Sequence, residues 1–372
     1  MRKKQLCGTV WECNEFMHRD PHIVIAGAGA IGCFFVMFII NSTVGLISIG
    51  LVIAMYIYLT KKKNLESEEG DTRSGMFNSL AEWSAKMVGD LPEASERSWQ
   101  PNLLVPAQQI NDIVRSYKIM YNLARPKGSI KILGFNNGKD FAKLKKRLPE
   151  LCENFSSQGI STAHALIQTE SFGSGVLTAM QCLKASFFSP NSLFLSLTDD
   201  HSHDAAVKRL LEHASEFGFG AYLFVPFQKL GLGLERTINL WIDPEDVGAD
   251  LGYKIKLVNV AILTSYLLKE NWNGELNLIV QSNPSSEEID PTEKLKTFIE
   301  KLTILARLPK DTKVHFVDTQ ATQWEDSIPN ADLNVLAVKP KEIDMAAIRK
   351  QLEVFETSLL FTLDGGKENA FA

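Results

Sequence analysis

The sequence predicts a transmembrane helical hairpin followed by an α/β domain, with mostly parallel sheets and helices on both faces. Three observations carry this expectation. From Ile23 to Thr60 there is no Asp, Glu, Lys or Arg, and the run stops at Lys61-Lys62-Lys63. After Pro101, short apolar segments alternate with helical periodicity almost to the end of the chain. That alternation is the pattern of a parallel sheet with crossover helices.

The apolar run opens with Ile23-Val24-Ile25-Ala26-Gly27-Ala28-Gly29-Ala30-Ile31-Gly32, which spells a dinucleotide-binding fingerprint. Such a fingerprint needs an acidic residue about 20 positions further on to hold a ribose. Leu51, Val52 and Ile53 stand there instead. The intervening segment Cys33–Ile40 is apolar on every face, whereas a helix flanking a soluble sheet has a polar side. A membrane reading fits better. A spanning helix takes about 20 apolar residues, so the run accommodates two, Ile23–Ile40 and Val44–Thr60. Asn41-Ser42-Thr43 is expected as the turn, and Tyr56 and Tyr58 as interfacial rings. Arg2, Lys3 and Lys4 precede the run and Lys61 to Lys63 follow it, so both ends are expected in the cytoplasm. Ala28/Gly32 and Gly29/Cys33 are small-x-x-x-small pairs that allow close helix approach. The lipid bilayer, here a cell inner membrane crossed more than once, is the first expected partner.

The remaining composition narrows the function. A net charge of −5 offers no broad basic field, so no nucleic-acid partner is expected. Cys7, Cys13, Cys33, Cys152 and Cys182 form no C-x-x-C pair, which argues against a zinc site and a disulfide framework.

Residues 1–22 read as a leader, 23–60 as the hairpin, and 61–100 as a polar linker with an amphipathic connecting helix. Met76, Leu80, Trp83 and Met87 share one face of that helix over Ser74–Val88. A first α/β unit is expected over 101–250. Its strands are Asn102–Pro106, Ser129–Phe135, His164–Gln168, Ser192–Leu197 and Ala221–Val225, with Leu234–Trp241 as a further edge strand. Its helices are Gln108–Leu123, Asp140–Phe155, Gly173–Ser186 and Asp204–Phe217. A second unit is expected over 251–372. Here the strands are Leu276–Gln281, Val314–Val317, Leu333–Val338 and Leu359–Phe361. The helices are Leu257–Glu270, Pro291–Arg307, Gln323–Ile328 and Ile343–Phe355, with Pro291 in a first turn where its missing N–H costs nothing. The two units have the look of a divergent repeat.

Several segments resemble the C-terminal domain of cation–chloride cotransporters, in particular the prokaryotic branch. They are Ser74–Trp83, Trp99–Pro106, Pro126–Gly134, Asn271-Trp272, Ala331–Asn334 and the closing Gly365–Ala370. Gly29–Asn41 and Tyr56–Tyr58 resemble the last two membrane helices of that family. The resemblance implies two universal-stress-protein-like units that dimerise and regulate a symporter of chloride with sodium, potassium or both. It implies as partners a second copy of the chain or a transporter core chain. The broken helices that hold the transported ions in such proteins have no counterpart here, so the chain by itself is not expected to transport.

Chemical constellations are few, and no enzyme is expected. Asp199-Asp200-His201-Ser202-His203-Asp204 could hold a divalent metal, but it reads better as a loop in which Ser202 or Asp204 caps the next helix. Ser171-Phe172-Gly173-Ser174-Gly175 is a glycine-rich turn into a helix, and no G-x-x-x-x-G-K phosphate loop occurs. Lys143–Arg147 reads as a solvated helix face. No catalytic, cofactor-binding or metal-binding residue is therefore assigned. The alternative function is a membrane-tethered, nucleotide-binding sensor of universal-stress-protein type.

Overall fold

The computed structural model describes Gly29, Gly32, Phe35, Val36, Ile39 and residues 42–61, 72–89, 99–136, 141–186, 188–198, 200–243, 257–282, 291–318, 324–366 and 368–370. The chain divides into two compact units, Met1–Asp90 and Leu91–Ala372.

In the first unit, Gly29, Gly32, Phe35, Val36 and Ile39 are helical, and two helices follow, α1 (Ser42–Lys61) and α2 (Thr72–Gly89). Ser42 and Thr43 open α1, so they do not form the expected turn. Val44, Leu46, Ile47, Leu51, Val52 and Ile53 are all exposed on it. Among the described residues no helix is long and apolar enough to cross a membrane; the side chains of α1 are described only from Ser42 to Met55. The leader, the linker around Asn64–Gly70 and the side chains of Tyr56 and Tyr58 lie outside the described residues. On α2, Leu80 and Trp83 of the expected apolar face are exposed.

The second unit is built on one ten-stranded sheet. The strands are β1 (Asn102–Ala107), β2 (Ser129–Asn136), β3 (Ser161–Gln168), β4 (Ser192–Ser196), β5 (Gly220–Val225), β6 (Thr237–Ile242), β7 (Glu275–Ser282), β8 (Lys313–Asp318), β9 (Leu333–Ala337) and β10 (Ser358–Leu363). Their spatial order is β3-β2-β1-β4-β5-β10-β9-β6-β7-β8. Every neighbouring pair is parallel except β5 and β10, which run antiparallel. Each half thus has the same order, third-second-first-fourth-fifth, and the two meet through their fifth strands. The expected separate sheets are one. The expected edge strand Leu234–Trp241 is an interior strand of the second half, between β9 and β7, so the halves divide before Thr237 rather than at 250.

The central strands read as continuous apolar runs because both faces are covered. One face carries α3 (Ile110–Arg115), α4 (Tyr117–Ala124), α5 (Phe141–Ser157), α8 (Asn259–Trp272) and α9 (Pro291–Leu305). Leu144, Leu148, Cys152 and Phe155 recur along α5 at one-turn spacing and are buried, with the helix packed on β2 and β3. The expected single helix Gln108–Leu123 is broken at Ser116 into α3 and α4. The opposite face carries α6 (Phe172–Lys184), α7 (Asp204–Glu216) and α10 (Met345–Phe355). Asp344 caps α10, its carboxylate accepting from Ala346 N at 2.9 Å. Where the first half has α6, the second has a much shorter connection with a 3-10 turn at Trp324–Ser327, not the expected helix. Trp324 and Phe355 pack on Trp241 there, edge to face, at 6.2 and 5.2 Å.

Candidate functional site

The most heavily built region is the seam between the halves. Leu223 and Phe361 stand opposite each other in the antiparallel β5–β10 pair. On the α4/α8 side, the amide of Asn271 donates to the carbonyls of Asn122 (2.7 Å) and Arg125 (3.1 Å). The hydroxyls of Tyr222 and Thr264 bond at 3.0 Å in the buried core, and burial raises the Tyr222 phenol pKa. Lys118 pairs with Glu235 at 2.8 Å. On the other side, Arg349 of α10 makes a two-pronged pair with Asp204 of α7, at 2.7 and 3.2 Å, with both side chains mostly buried. Two parallel bonds from one guanidinium fix geometry as well as charge.

The last described residues lock the seam from a third direction. Asp364 accepts from Asn259 N (3.2 Å) and Val260 N (3.0 Å), and so caps α8, whose own N-cap Val258 has no side chain able to do it. Gly365 lies against Phe219 and Gly220 so closely that a side chain there would meet their backbone. Glu368, buried, accepts from Gly365 N at 2.9 Å, and Ala370 N donates to the Asn259 side chain at 2.9 Å. Burial, reinforced by the neighbouring Glu368, pushes the Asp364 carboxyl up to about 8 against the two backbone donors that favour its charge.

Two crevices open at the carboxyl ends of the strands, each where the strand order reverses, between β1 and β4 and between β6 and β9. Open α/β sheets bind ligands at such points. The first, about 50 Å³, is lined by Gln108, Asp112, Phe172, Asp200, His203 and Asp204 among others. Burial raises the Asp112 pKa. The second is about 240 Å³. Ligand pockets for drug-sized molecules run from about 300 Å³, and the first crevice is small and acid-lined, which weighs against a bound nucleotide there.

The residues singled out from the sequence take structural places. Asp199 lies outside the described residues. Asp200, not Ser202 or Asp204, is the capping residue: it accepts from Ser202 N at 2.9 Å and caps the 3-10 turn His201–His203, and that bond lowers its pKa. Asp204 is instead spent on Arg349. Among the described residues no His, Cys, Asp and Glu group could hold a metal. Ser171 is the N-cap residue of α6 and makes no side-chain cap bond, and Gly175 is small because a Cβ there would sit 2.8 Å from Thr169 Cγ2 and 2.9 Å from the Phe135 ring. Lys145, Lys146 and Arg147 are exposed on α5 while Leu144 is buried, as a solvated helix face requires. Burial raises the Cys152 thiol to about 11. Sequence reasoning missed Arg349, Asp364 and Asp332. The Asp332 carboxylate gathers the N–H groups of Leu234, Arg236 and Thr237 at 2.8–3.0 Å where the first half passes into the second. Only Asp332 had a signal, since it lies in one of the family-like segments.

Comparison with known proteins agrees with this division. Residues 105–232 match the first part of the prokaryotic cation-chloride cotransporter C-terminal domain, and residues 233–371 match the second. The boundary falls just before β6, where the sheet divides. Among solved structures, the chain resembles the cytoplasmic domain of a prokaryotic cation chloride cotransporter. The identity is 27% and the TM-score 0.63, over 73% of this chain and 99% of that one. It also matches a universal stress protein from Archaeoglobus fulgidus at 14% identity and TM-score 0.48, over 72% of this chain and 98% of that one. No curated protein matches it in sequence. Through both parts of this domain, the chain belongs to the prokaryotic cation-chloride cotransporter family.

Proposed function

We propose that the second unit is the cytosolic regulatory part of a prokaryotic cation–chloride symporter, held at the inner membrane by a two-helix hairpin over residues 23–60. The observation that carries this is the paired family match, which accounts for both halves of the sheet in order. The physical features support it. Polar ties join the two halves, Asn271 with Asn122 and Arg125, and Arg349 with Asp204. A module can transmit a conformational signal by moving as one rigid piece, and such ties favour that. The charge-free run and the basic residues at its ends support the anchor. The partners are the bilayer and either a second copy of the chain or a transporter core.

The test is a domain exchange. Residues 61–372 replace the C-terminal domain of a prokaryotic cation–chloride cotransporter, and chloride-dependent rubidium uptake is measured in vesicles. The proposal expects uptake to return toward the native level and to fall again when the Asp204–Arg349 tie is cut. Uptake that is the same with and without the domain would overturn it.

A further inference from the structure

We propose that β3 is an interface strand, pairing antiparallel with β3 of a second copy of the chain about a two-fold axis normal to the sheet and centred on His164–Ala165. This names the surface that meets the second copy, and it does not rest on the domain governing transport. The edge itself, the helix over it and the charges on that helix point the same way.

A strand at the end of a sheet presents a row of unpaired N–H and C=O groups, and folds protect such edges with charge, proline, a bulge or a very short strand. β8, at the other end of the sheet, carries Lys313 and Asp318, and Lys313 is paired with Glu275. β3 has none of these devices. Its sequence Ser-Thr-Ala-His-Ala-Leu-Ile-Gln holds no Asp, Glu, Lys, Arg or Pro, and its register with β2 runs unbroken over all eight residues. Five of the eight are exposed, and the small side chains of Ala163 and Ala165 leave the centre of the edge open. Pairing this strand with its own copy supplies about eight interstrand hydrogen bonds.

An axis normal to the sheet keeps both copies of α5 on the same side. α5 packs on β2 and β3, and paired strands lie about 4.8 Å apart. The two helices then run antiparallel about 10 Å apart, within the spacing of packed helices. The Thr162 hydroxyl donates to the Cys152 carbonyl at 3.0 Å and lies 2.7 Å from Ser156 Oγ. Gln158, on the other flank of α5, reaches Tyr117 at 3.1 Å. The flank that carries Cys152 and Ser156 therefore looks over the free edge.

Lys145, Pro149 and Glu153 form an exposed row on that flank, four residues apart and so on one side of the helix. Among the described residues neither Lys145 nor Glu153 has an ion-pair partner. A strand rises about 3.3 Å per residue and a helix about 1.5 Å, so an axis through His164–Ala165 passes α5 near Pro149. The row is then self-complementary: Lys145 of each copy meets the partner subunit's Glu153, with Pro149 at the crossing.

The test is the oligomeric state of the full chain in detergent, by sedimentation equilibrium over a range of concentrations. A dimer is expected. Ala165→Glu, at an exposed position, sets two carboxylates across the axis and should raise the dissociation constant about tenfold or more. Lys145→Glu or Glu153→Lys alone should raise it about fivefold at low salt, and the double variant Lys145→Glu/Glu153→Lys should restore the native value. A native chain that stays monomeric would overturn the proposal. So would a dimer that Ala165→Glu leaves intact, or a double charge reversal no tighter than the single ones.

Discussion

Leu223 and Phe361 are partners across the sheet and also equivalents between the halves. Within the first half Leu103 pairs with Ser192, and Ser192 with Gly220; within the second Ile238 pairs with Leu333, and Leu333 with Ser358. Carried along β5 and β10, this equivalence matches Gly220 with Ser358 and therefore Leu223 with Phe361, which also face each other. A two-fold axis passes between them. The divergent repeat expected from the sequence is thus folded as an internal dimer, and its interface is where the chain places its polar ties.

Arg349→Ala is expected to destabilise the chain by about 2 kcal/mol, because Asp204 would remain mostly buried without its fork of donors. Arg349→Lys should fall between, since an ammonium cannot make the two-pronged pair. Urea unfolding of the second unit within the full chain measures both. An unchanged midpoint for Arg349→Ala would show that the two helices do not depend on this pair.

Asp364 gives the seam a pH dependence with a definite sign. Its folded-state pKa, near 8, lies above the ordinary 3.8, so the folded chain holds a proton that the unfolded chain releases. This stabilisation is complete below about pH 4 and is lost as the pH rises toward 8. The loss is at most about 1.4 kcal/mol per pH unit. Asp364→Asn keeps an acceptor for the start of α8 and removes the titration. Thermal unfolding between about pH 6 and about pH 9 should show the native midpoint falling relative to the variant. Parallel midpoints would exclude this role for Asp364.

The two glycines in the first turn of α6 separate close packing from open space. Gly175→Ala drives a methyl into Thr169 and Phe135 and is expected to cost about 1–3 kcal/mol. Gly173→Ala meets nothing within 4 Å and lies in a helix, so it should be neutral or stabilising by about 0.5–1 kcal/mol. Chemical denaturation of the two variants checks the contrast. Equal effects would contradict the packing account.

The α/β architecture was legible because the strands are buried on both faces and their helices carry regular apolar stripes. Ile130 and Ile132 in β2, or Leu144 and Leu148 in α5, announce their places locally. The joint was not legible. Nothing near Arg349 tells that its partner is Asp204, and nothing near Asp364 tells that it caps a helix beginning at Asn259. The first tie depends on β5 and β10 meeting antiparallel, and the second joins the end of β10 to a helix start far away in the chain; both are choices made by tertiary packing. β6 was misplaced for the same reason: its apolar run fits an edge or an interior strand, and only pairing with β7 and β9 decides. The short connection through Trp324 read as a helix because a 3-10 turn and a short helix share apolar spacing. The family-like segments fall repeatedly at the seam: Asn271 bridges to α4, Asp332 clasps the crossing, and Gly365–Ala370 closes it.

The claim that a membrane hairpin carries this α/β body is tested most directly by alkaline carbonate extraction of membranes containing the full chain, beside residues 61–372 alone. The account predicts that the full chain stays with the membrane until detergent is added and that residues 61–372 are released. Release of the full chain by carbonate alone would contradict it.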